Sequence, residues 1–351
     1  MARISNTIHE DANWIAGRMA ETLEAFDGRT ILLTGAAGFL GSYLLDVLAD
    51  WNVGRSRQAR ILALDNNLVG LPERVAHLSG RPDVAFFTHD MRQPFEPGEP
   101  VHYILHCAGV ASPTFYRQFP LETIDVNVDG TRHLLEMCRI HPVRAMLHLS
   151  TSEIYGDPTA DAIPTREDYR GLVSCTGPRA CYDESKRLSE TLATIYHQKH
   201  GVPVKVGRPF NVFGPGQRID DRRIIPDLMQ AVIEGKPLVL LSDGKATRSF
   251  CYLRDATWAM LLILLKGKPG EAYNLGNDHE EVTMRQVAET LIDASSYPHP
   301  LRFERSDDPH YLSDNPQRRC PDLARIKALG YEPQVMLREG LMRTLMSYRE
   351  S

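Results

Sequence analysis

A glycine-rich stretch near the start of the chain constrains the fold more than any other feature. Residues 34–41 read Thr-Gly-Ala-Ala-Gly-Phe-Leu-Gly, directly after the apolar run 31–33 and before helically spaced apolar residues over 39–50. Glycines between a strand and a helix permit a tight turn, let the backbone approach a pyrophosphate, and let the helix pack closely on the sheet. The pattern predicts the first βαβ unit of a dinucleotide-binding domain.

The chain up to residue 210 continues this alternation of β-rich runs and helical spacing, which predicts a parallel sheet. The expected fold is α/β, a doubly wound parallel (Rossmann) sheet with a smaller C-terminal substrate-binding part. The runs that read as further strands are 60–65, 84–88, 103–106, 144–149 and 204–206, and the later predicted helices are 121–140 and 180–200.

A length of 351 residues suits a nucleotide-binding domain that carries a second part. Apolar residues recur at helical spacing from Ile8 to Phe26, which predicts an additional helix before the first strand. Beyond Phe210 the spacing loosens into turn-rich pieces, where a substrate part is expected. The predicted division is a helical extension over 1–28, an NAD-binding domain over 29–210 with 250–277 returning to it, and a substrate-binding part over 211–249 and 278–351.

The composition restricts the classes of partner and the cellular location that are expected for the chain. A formal net charge of -5 argues against nucleic acid or an anionic membrane as the main partner. No apolar stretch is long enough to span a bilayer and no apolar leader segment is evident, so a cytoplasmic location is expected. The six cysteines are scattered without a CxxC pair, so neither a disulfide framework nor a metal site is expected.

Asp65 ends the second predicted strand, where a carboxylate accepts hydrogen bonds from the adenosine ribose and would repel a 2′-phosphate. NAD is therefore favoured over NADP as the cofactor. Asp90 and Met91 follow the third strand and would flank the adenine. The predicted cofactor-binding residues are Gly35, Gly38, Phe39, Leu40, Gly41, Asp65, Asn66, Asp90, Met91, Ala108, Tyr182 and Lys186.

Tyr182 and Lys186 lie four residues apart in a predicted helix, so their side chains share one face. A neighbouring ammonium and a cationic nicotinamide would lower the phenol pKa from ~10, so that the phenolate removes a substrate proton. The same spacing is common on solvated helix faces. What favours catalysis is the run Ser-Thr-Ser-Glu-Ile-Tyr-Gly over 150–156, which places the hydroxyl of Thr151 and the carboxylate of Glu153 at the end of the fifth strand.

At these residues the chain resembles the NAD-dependent epimerase/dehydratase family, over roughly Thr30 to Met346. The stretch Gly-Pro-Arg-Ala-Cys-Tyr-Asp-Glu-Ser-Lys-Arg over 177–187 is the most specific, because the fold does not demand it. The resemblance implies transient oxidation of a nucleotide sugar by NAD, and it is greatest to members that decarboxylate UDP-glucuronate. The other stretches that carry it are 150–158, 208–215, 247–250 and 314–322.

Three alternatives stay open: a nucleotide-sugar 4-epimerase, then a 4,6-dehydratase, and outside enzymes an NAD-binding regulator. Tyr182 and Lys186 count against the regulator. Ser152 stands where related 4,6-dehydratases carry an aspartate, and a serine is a poor acid for eliminating a hydroxyl.

Residue roles follow from the resemblance. Thr151, Tyr182 and Lys186 would form the dehydrogenase trio, and Glu153 would act near C5 of the sugar. Arg319 matches an arginine placed near the sugar carboxylate. The implied catalytic residues are Thr151, Ser152, Glu153, Tyr182, Lys186 and Arg319. The implied substrate-binding residues are Tyr116, Asn211, Arg223, Arg248 and Arg319.

The chain departs from the family at Leu241, where the family has an aromatic residue, at Gly109 and Val110, which replace a Ser-Pro-type pair, and in the additional N-terminal helix. The resemblance also implies a homodimer, formed by the helices predicted over 121–140 and 180–200. The candidate dimer contacts are Leu134, Leu135, Leu188 and Leu192, for which the alternative is a place in the core.

Overall fold

The computed structural model describes residues 5–296, 300–306 and 316–350. Residues 1–4 of the predicted extension, and Asp314 and Asn315 of the stretch 314–322, lie outside the described residues. The helices are α1 (Asn6–Arg18), α2 (Ala20–Leu23), α3 (Phe39–Asn52), α4 (Pro113–Gln118), α5 (Pro120–Asp125), α6 (Thr131–Ile140), α7 (Ala180–His200), α8 (Ile224–Glu234), α9 (Leu253–Lys266), α10 (Met284–Ser295), α11 (Ala324–Lys327) and α12 (Leu337–Glu350). The strands are β1 (Thr30–Thr34), β2 (Arg60–Asp65), β3 (Val84–Thr88), β4 (Tyr103–His106), β5 (Ala145–Leu149), β6 (Val204–Pro209), β7 (Val212–Phe213), β8 (Leu238–Leu240), β9 (Thr247–Arg248), β10 (Cys251–Tyr252), β11 (Ala272–Leu275), β12 (Val282–Thr283), β13 (Leu301–Phe303) and β14 (Arg318–Arg319).

Within the described residues, seven strands form one parallel sheet in the order β11-β6-β5-β4-β1-β2-β3. Every residue of β1 and of β5 is buried, as expected for parallel strands covered by helices on both faces. The strand order reverses at β1, which lies between β2 and β4. A ligand crevice forms at such a reversal, beyond the carboxyl ends of the strands. The predicted doubly wound α/β fold is confirmed.

The predicted helix over 121–140 contains an irregularity that the sequence did not indicate. The predicted helix consists of α5, a π-helical turn over Val126–Gly130, and α6, and the π-helical turn is the irregularity. A π-helical turn inserts an extra residue into a helix and often marks a functional site. By contrast, α7 spans the predicted residues 180–200 and ends at Gly201, whose φ of 67° suits a glycine in the left-handed region.

Two of the four candidate dimer contacts belong to the core. Leu134 and Leu135 are completely buried, and they pack in one cluster with Leu32 and Met146 of the sheet. Their assignment to a partner contact was wrong, because α6 turns both leucines towards the strands. Leu192 is partly buried against the same cluster, whereas Leu188 is exposed.

A second apolar core lies apart from the sheet, where buried residues of α8, α10 and α12 pack together. The predicted N-terminal helix is interrupted at Met19, so that α1, α2 and a 3-10 turn follow one another to Phe26. Helix α1 contacts α3 and α9 of the nucleotide-binding part and also α12. No helix in the described part of the chain is long and apolar enough to cross a membrane.

Candidate active site

One cavity of about 1270 Å³ opens beyond the carboxyl ends of β1, β4 and β5. It brings together all the residues that the sequence predicted for the cofactor, the chemistry and the substrate. Those lining residues are Gly35, Gly38, Phe39, Leu40, Gly41, Asp65, Asn66, Asp90, Met91, Ala108, Tyr116, Thr151, Ser152, Glu153, Tyr182, Lys186, Asn211, Arg223, Arg248 and Arg319.

The glycine-rich turn is packed too tightly for side chains. A Cβ at Gly41 would lie 2.0 Å from the carbonyl oxygen of Gly35, and a Cβ at Gly35 would lie 2.7 Å from the backbone nitrogen of Ala108. Gly35 also has a φ of 69°, which other residues rarely adopt. The turn thus brings the first N–H groups of α3 to the cavity, where they and the helix dipole fit a pyrophosphate.

Asp65 lies beside this turn. Its Oδ2 accepts a 2.9 Å hydrogen bond from the backbone of Ala37, and its Oδ1 accepts one of 2.8 Å from Asn67. Burial raises the pKa of Asp65, and these N–H donors counter that effect. Each carboxylate oxygen retains a further lone pair for a ribose hydroxyl. With Asp90 and Met91 in the same cavity, the residues present fit the adenosine half of NAD.

Tyr182 lies deep in the cavity. Its ring stacks on that of Tyr116, with centroids 5.3 Å apart and planes 8° from parallel, and its hydroxyl is hydrogen-bonded to the side chain of Thr151. Burial raises the pKa of Tyr182 to about 12, although the bond to Thr151 lowers it. The protein groups alone therefore raise the pKa of Tyr182, whereas the sequence predicted that it is lowered. The positive charge of a bound nicotinamide is the contribution that would favour the phenolate.

Lys186 is buried and donates a 2.8 Å hydrogen bond from Nζ to the carbonyl oxygen of Leu149. Burial lowers the pKa of Lys186 to about 8. Next to it lies Asn127, on the π-helical turn, which donates a 2.9 Å hydrogen bond to Ser185 and whose buried Oδ1 has no partner among the described residues. Asn127 was not identified from the sequence as a neighbour of Lys186, because only the π-helical turn places it there.

Glu153 forms the centre of a charged cluster. The guanidinium of Arg319 donates hydrogen bonds to both carboxylate oxygens of Glu153, with 2.7 Å between Nη2 and Oε2. Arg179 donates a hydrogen bond to the same Oε2. Although burial raises the pKa of Glu153, these two guanidinium groups outweigh it and hold the pKa well below its usual range. Arg179 was missed as a site residue, although it stands inside the motif 177–187.

A third guanidinium, that of the buried Arg248, lies next to Arg319 and Arg179. Strand β14 pairs with β9 in a register that sets Arg319 opposite Arg248. Burial lowers the pKa of Arg248 to about 9, and the neighbouring positive charges of Arg319 and Arg179 act in the same direction. Three arginines thus lie around Glu153, and the carboxylate of Asp183, 3.7 Å from Arg179, offsets one of the two remaining positive charges. The positive charge that is left favours an anionic ligand.

The other residues that the sequence predicted to bind the substrate line the same cavity. Asn211 has a φ of 40° and donates a 3.3 Å hydrogen bond to the carbonyl oxygen of Ser249. Arg223 donates to the carbonyl oxygen of Ala111 at 2.8 Å, and its Nε lies 3.1 Å from Asp221. Guanidinium groups in such a cavity suit phosphate oxygens.

The model of the NAD dependent epimerase/dehydratase family matches residues 31–276. The chain belongs to this family. It is similar to UDP-glucuronic acid decarboxylase 6 of Arabidopsis thaliana, with 36% identity over 89% of this chain and 86% of the relative. It is also similar to UDP-glucuronic acid decarboxylase 1 of Xenopus tropicalis, with 34% identity over 92% of this chain and 73% of the relative.

Among solved structures of the family, the chain is similar to the dTDP-glucose 4,6-dehydratase of Streptomyces venezuelae with NAD bound. The two superpose with a TM-score of 0.77 and 27% identity, over 92% of this chain and 97% of the other. The family resemblance and the NAD cofactor predicted from the sequence are confirmed.

Proposed function

We propose that this family member is a UDP-glucuronate decarboxylase, which forms UDP-xylose. The observation that carries the proposal is the group of three arginines around Glu153, in the same cavity as Tyr182 and Thr151: Arg248 and Arg319 are buried and Arg179 is partly buried. A glucuronate carries its negative charge on C6, two bonds from C4, so a sugar oxidised at C4 presents a carboxylate near this group. The names of the two decarboxylase relatives support the same substrate.

Bound NAD supplies the acceptor of the C4 hydride and later returns the hydride. The residues from Gly35 to Gly41 and Asp65 would hold it. Tyr182 accepts the proton of the C4 hydroxyl, and Thr151 orients that hydroxyl through its bond to the tyrosine oxygen. Lys186, fixed by the Leu149 carbonyl, adds positive charge behind the tyrosine.

The resulting ketone lies β to the C6 carboxylate, so the electrons of the breaking C5–C6 bond delocalise into it when carbon dioxide leaves. At this end of the cavity, the positive charges of Arg319 and Arg179 attract the negatively charged C6 carboxylate of the sugar. Ser152 is buried in the same turn as Glu153, and its hydroxyl is too weak an acid to expel a sugar hydroxyl. The chemistry that fits these residues is decarboxylation, followed by protonation at C5 and reduction at C4.

The test is incubation of the purified protein with a panel of nucleotide sugars, followed by mass spectrometry of the products. UDP-glucuronate is expected to lose carbon dioxide, while the other sugars are returned unchanged. Loss of water would instead identify a dehydratase. Conversion without a mass change would identify an epimerase, and both results would contradict the proposal.

We also propose a cytoplasmic homodimer. The six cysteines are free thiols, which suits a reducing compartment. Helices α5 and α7 contact each other and carry large apolar side chains on their exposed surface, which suits burial against a second copy of the chain. These exposed residues are Leu121, Ile124, Leu188 and Ile195.

Sedimentation at micromolar concentration is expected to give twice the mass of the chain. Leu188→Glu should shift the protein to a monomer, because an unpaired charge in an apolar interface is costly. The control is Val53→Glu, which changes a more exposed apolar residue directly after α3 and should leave the dimer intact. A monomeric parent would refute the dimer.

A further inference from the structure

The loop that carries Arg223 has only long hydrogen bonds within its own backbone, and side-chain contacts make up most of its internal bonding. This substrate loop, residues 214–223, connects β7 to α8, and most of its residues line the cavity. Its internal backbone hydrogen bonds are long, 3.4 Å from Gln217 to Gly214 and 3.3 Å from Asp221 to Arg218. A segment with weak internal bonding takes its conformation from the elements that it contacts.

Tyr348, near the end of α12, makes one of these contacts. Its hydroxyl donates a 2.6 Å hydrogen bond to the carbonyl oxygen of Gln217. The buried side chain of Gln217 in turn donates to Oδ2 of Asp221 at 3.1 Å, and the same oxygen lies 3.1 Å from Nε of Arg223. A continuous chain of polar contacts therefore joins α12 to Arg223.

Helix α12 is itself anchored by the N-terminal helix. The hydroxyls of Ser5 and Ser347 are 2.8 Å apart, and Arg343 donates to Asp11 at 2.7 Å. Asp11 is completely buried and also accepts a 2.8 Å hydrogen bond from Tyr252. Because a buried carboxylate is stable only when it is paired, these contacts favour a single placement of α1 against α12.

We propose that Tyr348, supported by α1, is a positioning residue for nucleotide-sugar binding. It holds the substrate loop in the conformation that presents Arg223 to the diphosphate. The inference rests on the proposed function, in which Arg223 binds that group. The N-terminal helix thereby contributes to substrate affinity. Tyr182 makes no hydrogen bond in this chain of contacts, and the charge of Arg223 only adds to the effect of Thr151 in lowering the pKa of Tyr182. The main effect of Tyr348 is therefore expected on binding rather than on the chemical step.

The test is Tyr348→Phe, which keeps the ring and removes the donor. The KM for UDP-glucuronate is expected to rise about three- to tenfold, as for one lost hydrogen bond, with kcat changed by less than about twofold. The Kd of UDP, measured by calorimetry, is expected to rise by the same factor. The matched control is Tyr331→Phe, because the buried Tyr331 hydroxyl donates to the carbonyl of Gly276 at 2.7 Å, outside the loop.

Unchanged KM and Kd in Tyr348→Phe, or an equal rise in Tyr331→Phe, would overturn the role of Tyr348. A parent that binds UDP but does not decarboxylate UDP-glucuronate would contradict the proposed function alone, and the Kd would still test Tyr348. A parent that does not bind UDP would contradict both.

The contribution of α1 has a separate test in Ser347→Ala, which removes the hydrogen bond to Ser5. If α1 acts through Tyr348, this change raises the KM in the parent but adds little in Tyr348→Phe, because coupled residues are not additive. Fully additive effects, or no effect in the parent, would show that α1 does not act through Tyr348.

Discussion

Tyr182→Phe is expected to lower turnover of UDP-glucuronate by ~10²–10⁴-fold, the range for loss of a general base. The substitution keeps the ring that stacks on Tyr116 and removes the phenol oxygen that would take the C4 proton. Binding of NAD should persist, because the glycine-rich turn and Asp65 are untouched. The measurement is product formation by mass spectrometry together with the cofactor content of the purified variant.

Tyr196→Phe is the matched control for this prediction. Tyr196 lies on the same helix, α7, and its hydroxyl contacts the carboxylate of Glu136 on α6. The control should retain parental turnover. Substantial activity of Tyr182→Phe with bound NAD would mean that another group removes the proton.

The Arg319→Ala enzyme is expected to be impaired at a later step of the reaction than the Tyr182→Phe enzyme. The C4 hydroxyl can still be oxidised, because Tyr182, Thr151 and Lys186 remain. Release of carbon dioxide should fall by about 10²-fold, because the C6 carboxylate is no longer held in the orientation from which the C5–C6 bond breaks. Reduced cofactor and a 4-keto sugar should therefore accumulate, and absorbance of NADH together with product mass would detect both.

Arg318→Ala is the control next in sequence. Arg318 is about half exposed and pairs with Glu281 at 2.7 Å and 2.9 Å, away from Glu153. This variant should release carbon dioxide at the parental rate. An Arg319→Ala enzyme as active as the parent would remove the argument for Arg319 and weaken the case for decarboxylation.

The comparison of Glu153 with Tyr182 shows where reasoning from residue types stops. The sequence indicated Glu153 because it follows the fifth strand at the edge of a parallel sheet, and Tyr182 because Lys186 lies four residues further along the same predicted helix. Their protonation depends on burial and on neighbours. Two guanidinium groups hold the pKa of Glu153 down, whereas burial raises that of Tyr182 to about 12. Neither direction follows from spacing along the chain.

Features that depend on local geometry could be predicted from the sequence. The turn over 34–41 admits no side chain at Gly35 or Gly41, so the spacing of its glycines was sufficient to indicate a dinucleotide site. Strand ends of a parallel sheet meet at one edge, which brought Asp65 and Thr151 into one predicted cavity. Helical periodicity was likewise sufficient to place Tyr182 and Lys186 on one face.

Features that depend on packing between distant segments could not be predicted in this way. Arg248 and Arg319 are neighbours because two short strands, β9 and β14, pair side by side, and strands of two residues leave almost no periodic signal. In the sequence, Leu134 and Leu135 could not be distinguished from surface leucines, because only the packing of α6 on the sheet buries them. The contacts of α1 with α12 join opposite ends of the chain, and no local pattern specifies which distant surface a helix will cover.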